Sequence, residues 1–125
     1  MSLEPSDFDI QAALLRQRDD PQELLTYFAT KMLAALPTLT TVERSGFLGR
    51  GPIRKVTVAL ATSRYTLELH RSNLSGQRAK IVRGVEIAHE DLPIPAWVAQ
   101  LTEDLRREAT QNDTVAQALR HLIFD

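Results

Sequence analysis

The stretch KVTVALATSRYTLELH, residues 55–70, decides the fold class of this 125-residue chain. Its apolar and polar residues alternate with a period of two, which is the spacing of side chains along a strand with one buried face. Thr62 and Ser63 interrupt the alternation and predict a turn of two residues. The stretch therefore predicts an antiparallel hairpin whose buried face carries Val56, Val58, Leu60, Tyr65, Leu67 and Leu69.

Further strands are predicted on both sides of this hairpin. Residues 40–45 form the first predicted strand, and residues 46–52 connect it to the hairpin. After a turn predicted at residues 72–76, residues 77–88 are predicted as one last strand. Strands joined by such short connections must be antiparallel, because parallel neighbours need crossovers of about a dozen residues. The expected sheet is a four-stranded antiparallel meander.

Helices are predicted before and after the strands. A first helix is expected from Ser6, and a second from Asp20 and Pro21, which suit the cap and the first helical position. Pro93 and Pro95 forbid a strand interior, and a helix with Trp97 on its buried face is expected after them. A short helix after residues 112–114 ends the chain. Two N-terminal and two C-terminal helices on one sheet face predict a two-layer α+β sandwich, a single domain over residues 1–125.

The net charge of −1 conceals a strong segregation of charge along the chain. Residues 1–42 hold six acids and three bases, residues 43–83 hold two acids and nine bases, and residues 84–125 hold eight acids and three bases. The basic central segment favours an acidic protein or a nucleic acid as partner. RNA-binding sheets, however, stack bases on exposed aromatic residues, and Tyr65 is predicted on the buried face. A protein partner, including a second copy of this chain, is therefore favoured over nucleic acid.

Composition excludes several other classes of protein. The chain has no cysteine, which excludes disulfides, thiolate metal sites and a cysteine nucleophile. The first residues, MSLEPSDFDI, lack the basic and then apolar order of a signal peptide. No apolar run approaches the roughly 20 residues of a membrane helix. We expect a cytoplasmic protein that does not act on a membrane.

The segment SGFLGRGPIRK, residues 45–55, combines glycines and bases as a phosphate-binding loop does. Such a loop needs Lys and then Ser or Thr after its last glycine, and it opens a helix. Here Pro52 follows Gly51 and a strand comes next, so we expect no nucleotide and no other cofactor. Phe47 and Leu48 would anchor a partner if they are exposed. The candidate partner-binding residues are Phe47, Leu48, Arg50, Arg54, Lys55, Lys80 and Arg83.

The residue patterns predict no metal site and no catalytic residue. His70, His89 and His121 stand far apart, and no metal-binding histidine spacing occurs. The neighbours His89, Glu90 and Asp91 point alternately to opposite faces of an extended chain. An enzyme using Arg83, His89 and Glu90 is kept as an alternative, and so is an anionic ligand bound on the polar sheet face. That face is expected to carry Lys55, Thr57, Thr66, Glu68, His70 and Lys80.

Arg83 and Gly84 interrupt the last predicted strand. Strict alternation would place Arg83 on the buried face, which is costly for an unpaired charge. Glycine inside a strand often marks a bulge, where one extra residue changes the register. We therefore predict a bulge at Arg83-Gly84 that turns the guanidinium outward.

Three stretches, VERSGFLGRGPIRKVTVALATSRYTLEL, IVRGVEIAHEDLPIPAWVAQLTEDL and AQALRHLIF, resemble a group of small bacterial proteins of about this length. In that group an Arg-Gly-Val strand leads through a short acidic linker into a Trp-containing helix. The resemblance covers most of the chain from Gln22 onward. It implies a single α+β domain in a bacterial cytoplasm, and it implies no activity, substrate or cofactor.

Overall fold

A computed structural model of the protein describes the backbone of residues 20–124 and the side chains of residues 20–120. The helix predicted from Ser6 lies outside the described residues. The α+β class is confirmed. The elements are α1 (Pro21–Ala35), β1 (Thr40–Arg44), β2 (Ile53–Ala59), β3 (Ser63–His70), β4 (Asn73–Val82), β5 (Val85–Leu92), α2 (Ile94–Ala109) and α3 (Asp113–Phe124).

The sheet is an antiparallel meander of five strands in the order β1-β2-β3-β4-β5, where four were predicted. The extra strand arises because the segment expected as one strand is folded back on itself. Arg83 and Gly84 have φ angles of 53° and 79°, and Val82 pairs with Val85 directly across them. Positive φ at both central residues is the geometry of a tight hairpin turn. The predicted bulge at Arg83-Gly84 is therefore wrong, and the register shift lies between Lys80 and Ile81 instead.

The connection between β3 and β4 is also shorter than predicted. His70 pairs with Asn73, so the turn consists of Arg71 and Ser72 alone. Gly76 belongs to β4, and the absence of a side chain there lets Trp97 of α2 pack closely against the strand. A Cβ atom added there would lie 2.8 Å from Cδ1 of Trp97. This glycine therefore lets α2 approach the sheet, which is a different role from the turn residue that the sequence suggested.

The core lies between one face of the sheet and the helices. Trp97 is fully buried at its centre, as predicted. Its ring meets those of Phe28 and Tyr65 edge-on, with centroids 4.9 and 5.7 Å away. The indole Nε1 donates a hydrogen bond to the Gln77 carbonyl oxygen at 3.0 Å, so the one polar atom of the ring is satisfied.

Polar side chains cap the N-termini of two helices, α1 and α3, as the sequence indicates. The Asp20 carboxylate accepts a hydrogen bond from the Glu23 backbone NH at 3.1 Å, and Pro21 begins α1. Asn112 accepts hydrogen bonds from the backbone NH groups of Thr114 and Val115 at the start of α3. Short polar side chains before a helix satisfy NH groups that lack an intrahelical partner. These caps explain why both helices begin where they do.

The sheet face that points away from the helices carries mostly polar side chains, as predicted. Of the residues predicted there, Lys80 is misplaced. Lys80 pairs with Ser63, whose side chain is buried on the helix side. Residues directly opposite each other on paired strands lie on the same face. Lys80 therefore lies on the helix face, near the end of β4, and the prediction that placed it with Lys55 is wrong.

Candidate functional site

The most conspicuous surface feature is the loop of residues 45–52 between β1 and β2. Its backbone is held by internal hydrogen bonds. The Ser45 NH donates to the Pro52 carbonyl oxygen at 2.9 Å, and the Gly51 NH donates to the Ser45 carbonyl oxygen at 2.7 Å. The Ser45 hydroxyl adds a bond to the same Pro52 oxygen at 3.1 Å. The loop therefore has a defined shape.

Phe47 and Leu48 lie at the tip of this loop and face solvent. Phe47 is 85% exposed and Leu48 is 72% exposed. Leu48 also has a φ of 59°, in the left-handed region that disfavours residues with a large side chain. Folding gains almost no apolar burial from these two residues, and the loop holds one of them in a costly conformation. That combination is typical of a binding site.

Three arginines lie at the same end of the sheet as the apolar tip. Arg44 lies at the end of β1 and donates to the Gly51 carbonyl oxygen at 3.4 Å. Arg71 lies in the β3–β4 turn, which a meander places at the same end of the sheet as the β1–β2 loop. Arg50 and Arg71 form no ion pair among the described residues. We call Arg44, Phe47, Leu48, Arg50 and Arg71 the loop-end surface.

Most bases on the strands are neutralised by acids of the same chain. Arg54 contacts Glu43 at 3.1 Å and Glu68 at 3.0 Å, and Lys55 lies 3.7 Å from Glu43. Arg64 pairs with a glutamate of β5 in the same way. The excess of bases in residues 43–83 therefore does not create an equally basic sheet face. Within residues 43–83, the bases without an ion pair lie in turns and loops or near strand ends.

A polar hollow lies on the sheet face away from the helices. Its volume is about 360 Å³. Ala79 is the shortest side chain of the lining and stands between Arg64 on β3 and His89 on β5, with which it pairs. The short side chain between two longer ones explains the depression. The hollow is lined by Lys55, Thr57, Arg64, Thr66, Gln77, Ala79, Glu86 and His89.

The structure does not bring together the residues of the enzyme alternative. His89 pairs with Ala79 and Glu90 pairs with Arg78, so the two side chains lie on opposite faces of the sheet. Arg83 lies in the hairpin turn beyond them. No group of three or more acidic or histidine residues that could hold a metal ion occurs among residues 20–120. This removes the geometric support for that alternative.

A buried polar cluster, which the sequence reasoning missed, connects the sheet to α2. Asp104 is 5% exposed. It accepts hydrogen bonds from the hydroxyl groups of Tyr65 and Ser63 and from Arg78, whose Nη2 lies 3.1 Å from Oδ2. Arg107 contacts its other carboxylate oxygen at 2.9 Å. An acid between Leu101 and Leu105 on the apolar face of a predicted helix was the signal that could have revealed the cluster.

The charges of this cluster are mutually stabilised. Burial by itself raises the pKa of Asp104, but the hydrogen bond from Tyr65 and the charge of Arg78 outweigh it, and the pKa lies below its usual value of 3.8. Burial also raises the pKa of Tyr65, and the hydrogen bond to Asp104 raises it further. Burial opposes the charged form of Arg78, yet its contacts with Tyr65 and Asp104 keep its pKa above the usual value. The cluster is closed and satisfied, so we assign it a structural role.

Comparison of the chain with protein-family models, with curated proteins and with solved structures finds no match. Within residues 20–124, none of the helices is long and apolar enough to cross a membrane.

Proposed function

We propose that the protein is a non-enzymatic interaction module that binds an acidic partner protein through the loop-end surface. The observation that carries this proposal is the exposure of Phe47 and Leu48, 85% and 72%, on a loop braced by its own hydrogen bonds. Burying a phenylalanine or leucine side chain against a partner contributes about 1.5–3 kcal/mol. A loop that already has its bound shape loses little conformational entropy on binding.

The charges around the tip favour an acidic partner. Arg50 and Arg71 have no acid of the described chain beside them, and Arg44 bonds only a backbone oxygen. Complementary charge accelerates association and selects among partners, whereas the apolar anchors supply affinity. A hollow of about 250 Å³ beside the loop, lined by Gln22, Ser45, Ile53, Arg54, Leu69 and Arg71, could receive one partner side chain.

The proposal is tested by affinity capture with matched variants. The wild-type chain, Phe47→Ala, Arg50→Glu and the control Leu33→Ala, a partly exposed apolar residue on α1, are used as baits in the source cells. A supporting partner is retained by wild type and by Leu33→Ala, lost with Phe47→Ala and Arg50→Glu, and then bound in purified form with an affinity that falls as salt rises. Retention of the same proteins by all four baits would refute the proposal, and so would binding of the loop tip to anionic lipid vesicles in place of a protein.

Leu48→Gly provides a further check on folding. Glycine adopts positive φ without the penalty of about 1–2 kcal/mol that a larger residue bears. The variant should therefore remain folded and at least as stable as wild type while losing the partner. Loss of binding in a protein of undiminished stability separates a binding role of Leu48 from a role in folding.

A second candidate function is the binding of a small anion in the polar hollow. Lys55, Arg64 and His89 supply donors there, but Glu43 and Glu86 already contact these groups. Titration of inorganic phosphate and of a short single-stranded oligonucleotide, followed by NMR, tests it. Support requires salt-sensitive shifts at Thr57 and Thr66 that Arg64→Gln abolishes and Arg107→Gln retains. Absence of shifts at low salt dismisses it.

A further inference from the structure

Strand β5 forms one edge of the sheet and is uncovered along nearly its whole length. Only β4 pairs with it, and residues 85–91 are all exposed. No element within residues 20–124 pairs with its outer edge. An exposed edge presents a row of backbone NH and carbonyl groups to which another strand can add. Eight residues of strand are enough to hold such an addition.

Apolar side chains accompany this edge at the tip of the β4–β5 hairpin. Val82 is 43% exposed, Val85 61% and Ile87 56%. The hairpin turn lies at the end of the sheet opposite to the loop-end surface, because consecutive connections of a meander alternate between its two ends. The edge is therefore a second surface, separate from the one assigned above.

The charges on β5 decide which strand fits. Glu86, Glu90 and Asp91 are acidic, and the strand contains no lysine, arginine or proline. In an antiparallel pair of two β5 strands centred between Ala88 and His89, Glu86 would oppose Asp91. Like charges directly opposite each other destabilise a sheet. In that register like charges disfavour a second copy of β5, and the three acids of a strand without lysine or arginine favour a basic partner strand.

Glu90 is the acid most available to a partner. Glu86 already pairs with Arg64, and Asp91 accepts a hydrogen bond from Gln77 at 3.0 Å. Glu90 forms no ion pair or hydrogen bond with any described residue. It lies within the exposed part of β5, where an added strand would pass.

We propose that β5 accepts an extended basic segment of a partner protein as a sixth strand of the sheet. Main-chain hydrogen bonds to the edge hold the segment, and its basic side chains select it through Glu90 and the neighbouring acids. Valine or another apolar residue in the segment covers the exposed side chains of the hairpin tip. The interaction does not depend on the loop-end surface.

The probe for this proposal is a synthetic decapeptide of alternating lysine and valine. Its binding is followed by NMR and by hydrogen exchange of the full chain. We expect the peptide to shift and protect amides of β5 and to leave β1 unchanged, whereas a decapeptide of alternating glutamate and valine does not bind. Glu90→Lys should weaken binding about fivefold or more, as expected for a partly exposed charge pair that is reversed. Glu103→Lys, on the outer surface of α2, is the matched control and should bind as wild type.

Two N-methylated peptides distinguish strand addition from simple charge attraction. One peptide is methylated at the backbone nitrogens of its odd positions, and the other at those of its even positions. Strand addition uses only one set of peptide NH groups, so one of the two peptides should lose binding and the other should retain it. Equal binding of both methylated peptides and the parent, or protection of β5 by self-association of the chain alone, would overturn the proposal. Phe47→Ala should bind the peptide unchanged, so failure here and failure at the loop-end surface are distinguishable.

Discussion

The phenol group of Tyr65 on β3 donates a hydrogen bond to the carboxylate of Asp104 on α2. Arg78 on β4 closes the arrangement, because its Nε donates to the Tyr65 oxygen at 2.8 Å and its guanidinium contacts the same carboxylate. Two strands and one helix are thus joined through one buried acid. The contacts of Tyr65 and Arg78 with Asp104 fix the rotation of α2 about its axis. Apolar packing alone would allow several rotations, because it is not directional.

Asp104→Asn is expected to lower the free energy of unfolding by about 3 kcal/mol, the usual effect of removing one partner from a buried charge pair. The change keeps the shape of the side chain but leaves Arg78 without its counter-charge. Urea unfolding at neutral pH measures the loss. The control Glu103→Gln, one residue earlier and exposed, should change stability by less than about 0.5 kcal/mol. Equal stabilities of the two variants would contradict the assigned role of Asp104.

The contribution of Asp104 should vanish in acid. Its folded pKa lies below the usual value of 3.8, so the unfolded chain takes up the proton first as the pH falls. The stabilisation is therefore complete above about pH 5 and is lost as the pH falls through the unfolded value toward the folded one. Unfolding of wild type and Asp104→Asn over a range of pH measures this. The stability difference between them should shrink below about pH 4, and a constant difference would be inconsistent with the cluster.

Tyr65 should make the protein sensitive to alkali. Its pKa is raised above the usual 10.0 by burial and by the hydrogen bond to Asp104, so the unfolded chain loses this proton first as the pH rises. The stabilisation is present below about pH 10 and is lost above it. In Tyr27→Phe, Tyr65 is the one remaining tyrosine, and near-ultraviolet absorbance reports its ionisation. Ionisation should coincide with unfolding; a separate titration at the usual pH would exclude the buried hydrogen bond.

Gly76→Ala is expected to lower stability by about 2 kcal/mol, within the range for overpacked cores. The added methyl group would lie 2.8 Å from Cδ1 of Trp97 and 3.0 Å from Cγ, and the indole would have to shift. Trp97 is the one tryptophan, so its fluorescence should change as well. Ser75→Ala is the control, because Ser75 is exposed on the same strand. An unchanged fluorescence spectrum in Gly76→Ala would show that the close approach is absent.

Arg83→Asn is expected to raise stability by about 0.5 kcal/mol, a usual gain when a residue suits its backbone conformation better. Asparagine tolerates positive φ and is the preferred residue before glycine in a two-residue hairpin turn. Arg83→Val should lower stability instead, because a β-branched residue is strained at a φ of 53°. Thermal unfolding of the two variants gives opposite shifts if Arg83-Gly84 is a turn. A bulge that leaves Arg83 extended would give the opposite order, since valine is the better strand residue.

Local sequence signals predicted the elements whose causes are themselves local. Asp20 with Pro21 and the residues around Asn112 predicted helix starts, and the alternation of residues 55–70 predicted the central hairpin and its buried face. The turn of that hairpin was predicted one residue too late, because Ser63 already belongs to β3. Trp97 was correctly placed in the core for the same reason, since it begins an apolar helical stripe. The Arg83-Gly84 turn was misjudged because glycine in a run of strand residues suits a bulge and a turn equally. Only the pairing of Val82 with Val85 distinguishes the two.

For the candidate surfaces, too, local features were predictable from the sequence and contacts between strands were not. The sequence supplied Phe47, Leu48 and Arg50 as candidates, and their exposure in the structure supports the proposed site. It could not show that Arg54 is neutralised by Glu43 and Glu68, because those partners come from other strands.

By itself the sequence determined the α+β class, the caps of α1 and α3 and the apolar side of the central hairpin, because these depend on neighbours within a few positions. The tertiary structure decided the number of strands, the polar cluster at Asp104, the neutralisation of the strand bases and the open edge at β5. Each of these depends on which strands become neighbours. Charge and hydrogen-bond partners distant in the chain meet only after the sheet has formed, and no local pattern records them.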